Sequence, residues 1–233
     1  MDAARGFSVL SMVAFHFCYD LRYVCGRELA WFAPPFQDVW RASIAWTFLA
    51  IAGFMCSLSR NNWRRGGIYA AVALAVTIVT SLAGVDVPIT FGIIFCMAAS
   101  TLLFAALDTL GYAPKGALPA VVFLLAFLSC LNVAKGYFGL THLIALPKSL
   151  YSTELFSWLG FPGPTFSSGD YYPMIPFTLI YLAGASVGRA MRERGFPSWM
   201  SEWGFSPLEF VGRHALIVYA LHQPILLLLA GAL

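Results

Sequence analysis

Charged residues in this 233-residue chain fall almost entirely in the breaks between long apolar runs or near the ends of those runs, and that arrangement constrains the fold more than any single motif. A helix that crosses a bilayer needs about 20 predominantly apolar residues. Seven runs approach that length, at 4–25, 39–59, 67–85, 89–109, 117–135, 172–191 and 208–232. Composition agrees: 60% of residues are hydrophobic and 11% charged, less than half the roughly 25% charge of soluble domains. A soluble enzyme is thereby excluded. So is a disordered chain, which needs low hydrophobicity and high net charge. The net charge of +3 is too small and too dispersed for a nucleic-acid partner. The expected fold is an all-α polytopic membrane protein of seven transmembrane helices, a single domain over residues 1–233 with the lipid bilayer as a partner.

The breaks carry turn chemistry built from Gly, Pro, Asn and Asp. They are "APP" at 33–35, "RNNWRRGG" at 60–67, Asp86 with Pro88, and "GYAPKG" at 111–116. Residues 136–171 form a longer connection between the fifth and sixth spans, rich in Gly, Pro, Ser and aromatics, and are expected to fold as a cap at the membrane interface. With seven spans, nine Lys and Arg fall on the N-terminal side and five on the other. The positive-inside rule then predicts a cytoplasmic N-terminus, and an external C-terminus and 136–171 loop, in a bacterial-type cytoplasmic membrane. The first run holds His16 and Asp20, and no cleavage site with a mature soluble domain follows it, so it reads as a retained span and not a signal peptide. The five cysteines lack metal-site spacing and read as small core residues, and no metal is expected. Gly184 and Gly188 make a small-xxx-small pair suited to helix packing within a chain or in a homo-oligomer.

Subtraction exposes the candidate site. Among 14 Lys and Arg, 11 Asp and Glu and 4 His, only His16, Asp20 and His222 sit well inside apolar runs. An intramembrane ionisable residue is costly to bury and is by default a functional candidate. At about 100° per residue, Arg5, His16 and Asp20 share one helix face, with His16 roughly 16 Å along the axis from Arg5. His222 lies 14 residues into a last span starting at 208, which gives the two histidines similar depth. Each has a structural alternative. His16 can be a packing histidine, Asp20 can be solvated at the outer interface, and His222 with Gln223 can stabilise a kink at Pro224.

Four segments, in order, carry a resemblance. They are "DAARGFSVLSMVAFHFCYDL" at 2–21, "FLAIAGFMCSLSR" at 48–60, "GFPGPTFSSGDYYPMIPF" at 160–177 and "PLEFVGRHALIVYALHQP" at 207–224. Together they resemble the bacterial DUF1624 family and the related heparan-α-glucosaminide N-acetyltransferases, within the wider group of transmembrane acyltransferases. The resemblance implies acyl transfer from cytoplasmic acetyl-CoA, or another acyl-CoA, to a hydroxyl or amine of a saccharide-like acceptor. Arg5 and His16 also match the Arg, ten residues, His pattern of acyltransferase-3 proteins. The chain departs from the mammalian-type enzyme, whose catalytic His lies in the first external loop, because residues 26–38 contain none. That enzyme has Asn where His16 stands, and "GIIF" at 92–95 replaces a frequent Gly-Ile-Leu-His.

His16 is therefore the expected general base, with Asp20 orienting its ring and His222 nearby as a further catalytic residue. Arg5, Arg60 and Arg213 are expected to meet the CoA phosphates, although as cations near span ends they also suit membrane anchoring. Asp170, Tyr171 and Tyr172 are candidate acceptor contacts, and Tyr219 with Gln223 a candidate oxyanion site. The competing function is a proton-coupled transporter using His16, Asp20 and His222.

Overall fold

The computed structural model describes residues 1–84, 86–198, 200 and 205–231. Helix is found at each of the seven apolar segments. They form α1 Asp2–Tyr19, α2 Phe36–Cys56, α3 Asn62–Ala83, α4 Ile93–Thr109, α5 Ala117–Ser129, α6 Met174–Arg194, α7 Ser206–Arg213 and α8 Ala215–Gly231. Among the described residues, four helical segments are long and apolar enough to cross a membrane: Phe36–Cys56, Asn62–Ala83, Ala117–Lys135 and Met174–Arg194. The α7–α8 pair makes a fifth if its two parts are one bent span.

That bend corrects the expectation of one continuous helix over 208–232, whose last residue lies outside the described residues. The chain turns by 85° between α7 and α8. The physical reason is a change of character: α7 carries Glu209 and Arg213 in two turns, whereas α8 is almost wholly apolar. An amphipathic helix suits an interface, and an apolar one suits the bilayer interior. A second difference concerns α3, whose expected span 67–85 starts five residues earlier, at Asn62, and whose expected end, Val85, lies outside the described residues. Asn61 caps it by accepting the Arg64 N–H at 2.9 Å, so Arg64 and Arg65 are helical and not part of the turn.

Two compact units divide the chain, Met1–Phe48 with Phe196–Leu233, and Leu49–Gly195. In the first unit, α1 and α7 meet backbone to backbone. A Cβ on Gly6 would lie 1.9 Å from Leu208 O, and one on Gly212 would lie 1.9 Å from Asp2 O. Only glycine permits that approach. Trp40 donates its indole N–H to Ser11 Oγ at 2.8 Å, fixing the start of α2 to α1. The connection after α1 is tied down by Arg22, which donates to Leu29 O at 2.6 Å and to Phe32 O, while the Phe32 ring packs on Phe15.

In the second unit the end of α2 packs on α6 through Gly53, Gly184 and Gly188. Their added Cβ atoms would sit 1.9 Å from Tyr181 O, 2.0 Å from Ala50 O and 2.4 Å from Phe54 O. The Gly184–Gly188 pair is thus used inside the chain. Residues between α5 and α6 are folded, with a two-stranded hairpin, β1 Tyr137–Phe138 paired to β2 Ile144–Ala145, and 3₁₀ turns at Lys148–Tyr151 and Glu154–Phe156.

Candidate active site

The first unit brings His16, Asp20 and His222 together. His16 lies near the end of α1, and His222 lies about two turns into α8. His16 Nδ1 and His222 Nε2 are 2.6 Å apart. Their ring planes differ by 18° with centroids 4.8 Å apart. That separation fits rings bonded edge to edge, because the close contact runs between nitrogens on facing edges and not between ring faces.

The other side of His222 fixes the direction of the bond. His222 Nδ1 lies 2.6 Å from the Tyr219 carbonyl oxygen. A carbonyl only accepts, so His222 Nδ1 carries the proton and donates it. In the neutral ring Nε2 is then the acceptor, and His16 must donate from Nδ1. The chain of bonds runs from His16 Nδ1–H to His222 Nε2, and from His222 Nδ1–H to Tyr219 O. It leaves His16 Nε2 as an unprotonated basic nitrogen, with no hydrogen bond among the described residues. His16 itself is half-buried, and the Phe15 ring, 5.8 Å away, packs edge-on to it.

One turn further along, Asp20 begins a π-helical turn, Asp20–Val24, in which Cys25 N–H reaches back five residues to Asp20 O at 2.8 Å. Such turns are rare and occur mostly at functional sites. The Asp20 side chain is fully buried, and its two oxygens accept from Gln223 Nε2 at 2.9 and 3.1 Å. Two polar rungs therefore join α1 to α8, His16 with His222 and Asp20 with Gln223. The i, i+4 spacing pointed to Asp20 as the partner of His16, but the partner of the His16 Nδ1 nitrogen is His222.

The sequence matches the family described as heparan-alpha-glucosaminide N-acetyltransferase, catalytic, over residues 1–224. This chain belongs to that family. No curated protein and no solved structure gives a significant match. Membership places the chain in an acetyltransferase family whose acetyltransferases take acetyl-CoA as donor, and its apolar helices are those of a multi-pass membrane protein.

The remaining candidates of this N-acetyltransferase-family chain fall in both units. Arg5 donates from Nε to Gly212 O at 2.5 Å and pairs with Asp2 at 2.9 Å, so it satisfies a carbonyl at the C-terminal end of α7. Arg213 is exposed beside Glu209, 3.4 Å away. Tyr219 is buried with its ring 5.7 Å from that of His222, and its backbone carbonyl supplies the bond described above. In the second unit, Arg60 is exposed in the turn between α2 and α3. Asp170 accepts the Ile93 N–H at 3.0 Å and so caps α4. Tyr171 donates its hydroxyl to Ser157 O at 2.6 Å, and burial together with the nearby Tyr151 pushes its pKa well above the ordinary tyrosine value. Tyr172 packs edge-on against Phe177, centroids 4.8 Å apart. Sequence reasoning missed the Tyr219 carbonyl, because a backbone acceptor leaves no side-chain signature. It also missed the direct histidine pair, for which similar depth was the available signal.

Proposed function

We propose that this chain is an acyl-CoA-dependent O- or N-acyltransferase moving an acetyl group to a hydroxyl or amine of a saccharide-like acceptor, with His16 as general base. The observation that carries the reading is the oriented histidine pair. A base must present a lone pair to the proton that it removes, and the bond to His222 leaves that lone pair on His16 Nε2.

The acceptor O–H or N–H gives its proton to His16 Nε2 as its oxygen or nitrogen bonds to the thioester carbonyl carbon. The carbonyl electrons move to oxygen, then return as the carbon–sulfur bond breaks. The departing CoA thiolate takes the proton from His16, which regenerates the neutral ring. While His16 is charged, His222 Nε2 accepts from its Nδ1–H, and the Tyr219 carbonyl keeps His222 in the accepting tautomer. Asp20 and Gln223 hold the same two helices one turn away, so they are proposed as positioning residues. Arg213, exposed in the same unit, is proposed to meet the anionic CoA phosphates. Arg60 remains a candidate for such a phosphate contact, and Asp170, Tyr171 and Tyr172 remain candidates for the acceptor. The family assignment favours this reading over a proton-coupled carrier. The proposed setting is a bacterial-type cytoplasmic membrane, with the N-terminus cytoplasmic and the C-terminus external.

The test is acetyl-CoA binding and thioester turnover by purified protein in nanodiscs, with His16→Ala beside it. Loss of general-base catalysis should lower turnover roughly 10²–10⁴-fold with acetyl-CoA binding retained. Equal turnover in His16→Ala would remove the base, and absence of acetyl-CoA binding by the parent would remove the transferase.

A further inference from the structure

The β1–β2 hairpin in the second unit is an unusual structure to leave in water. Both residues of each strand are exposed, so neither face is covered by another element. The exposed side chains are strongly apolar. Leu143 is 74% exposed, Leu140 60% and Ile144 58%, with Tyr137 and Phe138 exposed beside them. An isolated two-stranded hairpin is marginal in water.

Much of its backbone, however, is satisfied within the chain. Gly139 N–H donates to Ser129 O at 2.7 Å, and Asn132 Nδ2 donates to Gly139 O at 3.0 Å and to Leu140 O at 3.2 Å. Tyr137 N–H donates to Asn132 O at 3.1 Å, and Leu146 N–H to Gly136 O at 2.9 Å. Internal satisfaction of the backbone is what a non-aqueous surrounding demands.

Position and charge indicate which surrounding. The hairpin follows immediately on the apolar segment Ala117–Lys135, whose Leu118, Val121, Val122 and Leu125 are exposed and suited to lipid. Exposed Lys135 and Lys148 flank it, and Thr141, His142 and the Tyr137 hydroxyl add polar groups. A mixture of aliphatic, aromatic and polar groups beside lysines suits the boundary between headgroups and acyl chains, not the bilayer centre. We propose that residues 137–145 form a wedge inserted into that boundary, with anionic phospholipid as the partner and Lys135 and Lys148 meeting its phosphates.

The test uses full-length protein in nanodiscs of phosphatidylcholine, with and without phosphatidylglycerol. A nitroxide is attached at Leu143→Cys, with the exposed native thiol removed by Cys25→Ser and the chain lacking Leu143→Cys as background. Oxygen, which partitions into lipid, should relax the label more than a water-soluble nickel chelate does. Phosphatidylglycerol should raise that ratio, and Lys135→Gln with Lys148→Gln should remove the rise. Faster relaxation by the nickel chelate would show the tip in water and overturn the proposal. Strong dipolar coupling between labels on separate chains would assign the face to a second copy and overturn it equally. Failure of phosphatidylglycerol to change the ratio would overturn the anionic-lipid partner.

Discussion

Two polar chains, one in each unit, look alike and differ in one respect. In the second unit Cys56 Sγ, Tyr181 Oη and Thr101 Oγ1 are linked at 2.5 and 2.7 Å, and Thr101 donates to Met97 O at 2.6 Å. Each group there is a weak acid at most, and the chain ends on a carbonyl. In the first unit the chain is built of two imidazoles. It also ends on a carbonyl, Tyr219 O, but its other end is a basic nitrogen. Both chains join helices. Only the histidine chain ends on a nitrogen lone pair, the feature that the proposed base requires and that a packing network lacks.

The comparison is broken most severely by acting on His222. His222→Ala should lower turnover roughly 10–100-fold, as loss of an orienting partner does elsewhere, with acetyl-CoA binding unchanged. His222→Gln, whose amide oxygen can accept from His16 Nδ1–H, should recover part of that loss. Equal turnover in parent and His222→Ala would return the histidine pair to the packing class.

Glycine contacts come next. Gly184→Ala would place a methyl 2.0 Å from Ala50 O, and Gly6→Ala would place one 1.9 Å from Leu208 O. Each should destabilise by about 1–3 kcal/mol, the usual cost of overpacking, read as a lower thermal midpoint in detergent. The prediction for activity differs: Gly6→Ala disturbs the unit that holds the histidines and should slow turnover.

Tyr181→Phe should have a smaller effect. It removes one hydroxyl from the packing chain and should cost about 1 kcal/mol with turnover unchanged. A loss of turnover comparable to that of His222→Ala would erase the distinction between the two chains.

A third polar cluster, outside the spans, sharpens the contrast with a carboxylate. Glu154 accepts from Thr165 Oγ1 at 2.7 Å, Thr165 N at 3.0 Å and Ser157 Oγ at 3.3 Å. The Thr165 hydroxyl leads the contacts that hold its pKa below the ordinary carboxylate value. Stability from a depressed pKa is fully present above the unfolded value and is lost as pH falls through the folded one. Protection from hydrogen exchange in residues 154–166, taken relative to the intrinsic amide rate at each pH, should therefore fall only on acidification below the ordinary carboxylate range, and Glu154→Gln should flatten that dependence.

Much of the helical layout was legible because apolar length and turn residues are local properties. Asp86 with Pro88 and the "GYAPKG" break each separate two helices. His16, Asp20 and His222 stood out because ionisable groups are rare inside apolar runs. The start of α3 was less legible, since "RNNWRRGG" contains both loop residues and an N-cap, and only the Asn61–Arg64 bond distinguishes them. Asp170 read as a candidate ligand group, yet in the fold its carboxylate caps α4, 77 residues away in sequence. Arg5 read as a cation at a membrane rim, whereas its guanidinium meets a carbonyl 207 residues away.

By itself the sequence determined the solvent, the helical segments, the family and the short set of ionisable residues inside apolar runs. Each follows from composition, from spacing along one helix or from ordered motifs. Tertiary structure decided which of those residues touch. Helical periodicity relates His16 to Asp20 because α1 runs straight on into the Asp20–Val24 turn, but it carries no information about a second helix. The 85° break between α7 and α8, the close Gly6–Gly212 approach and the π turn at Asp20 belong to the fold that sets His222 against His16 and Gln223 against Asp20.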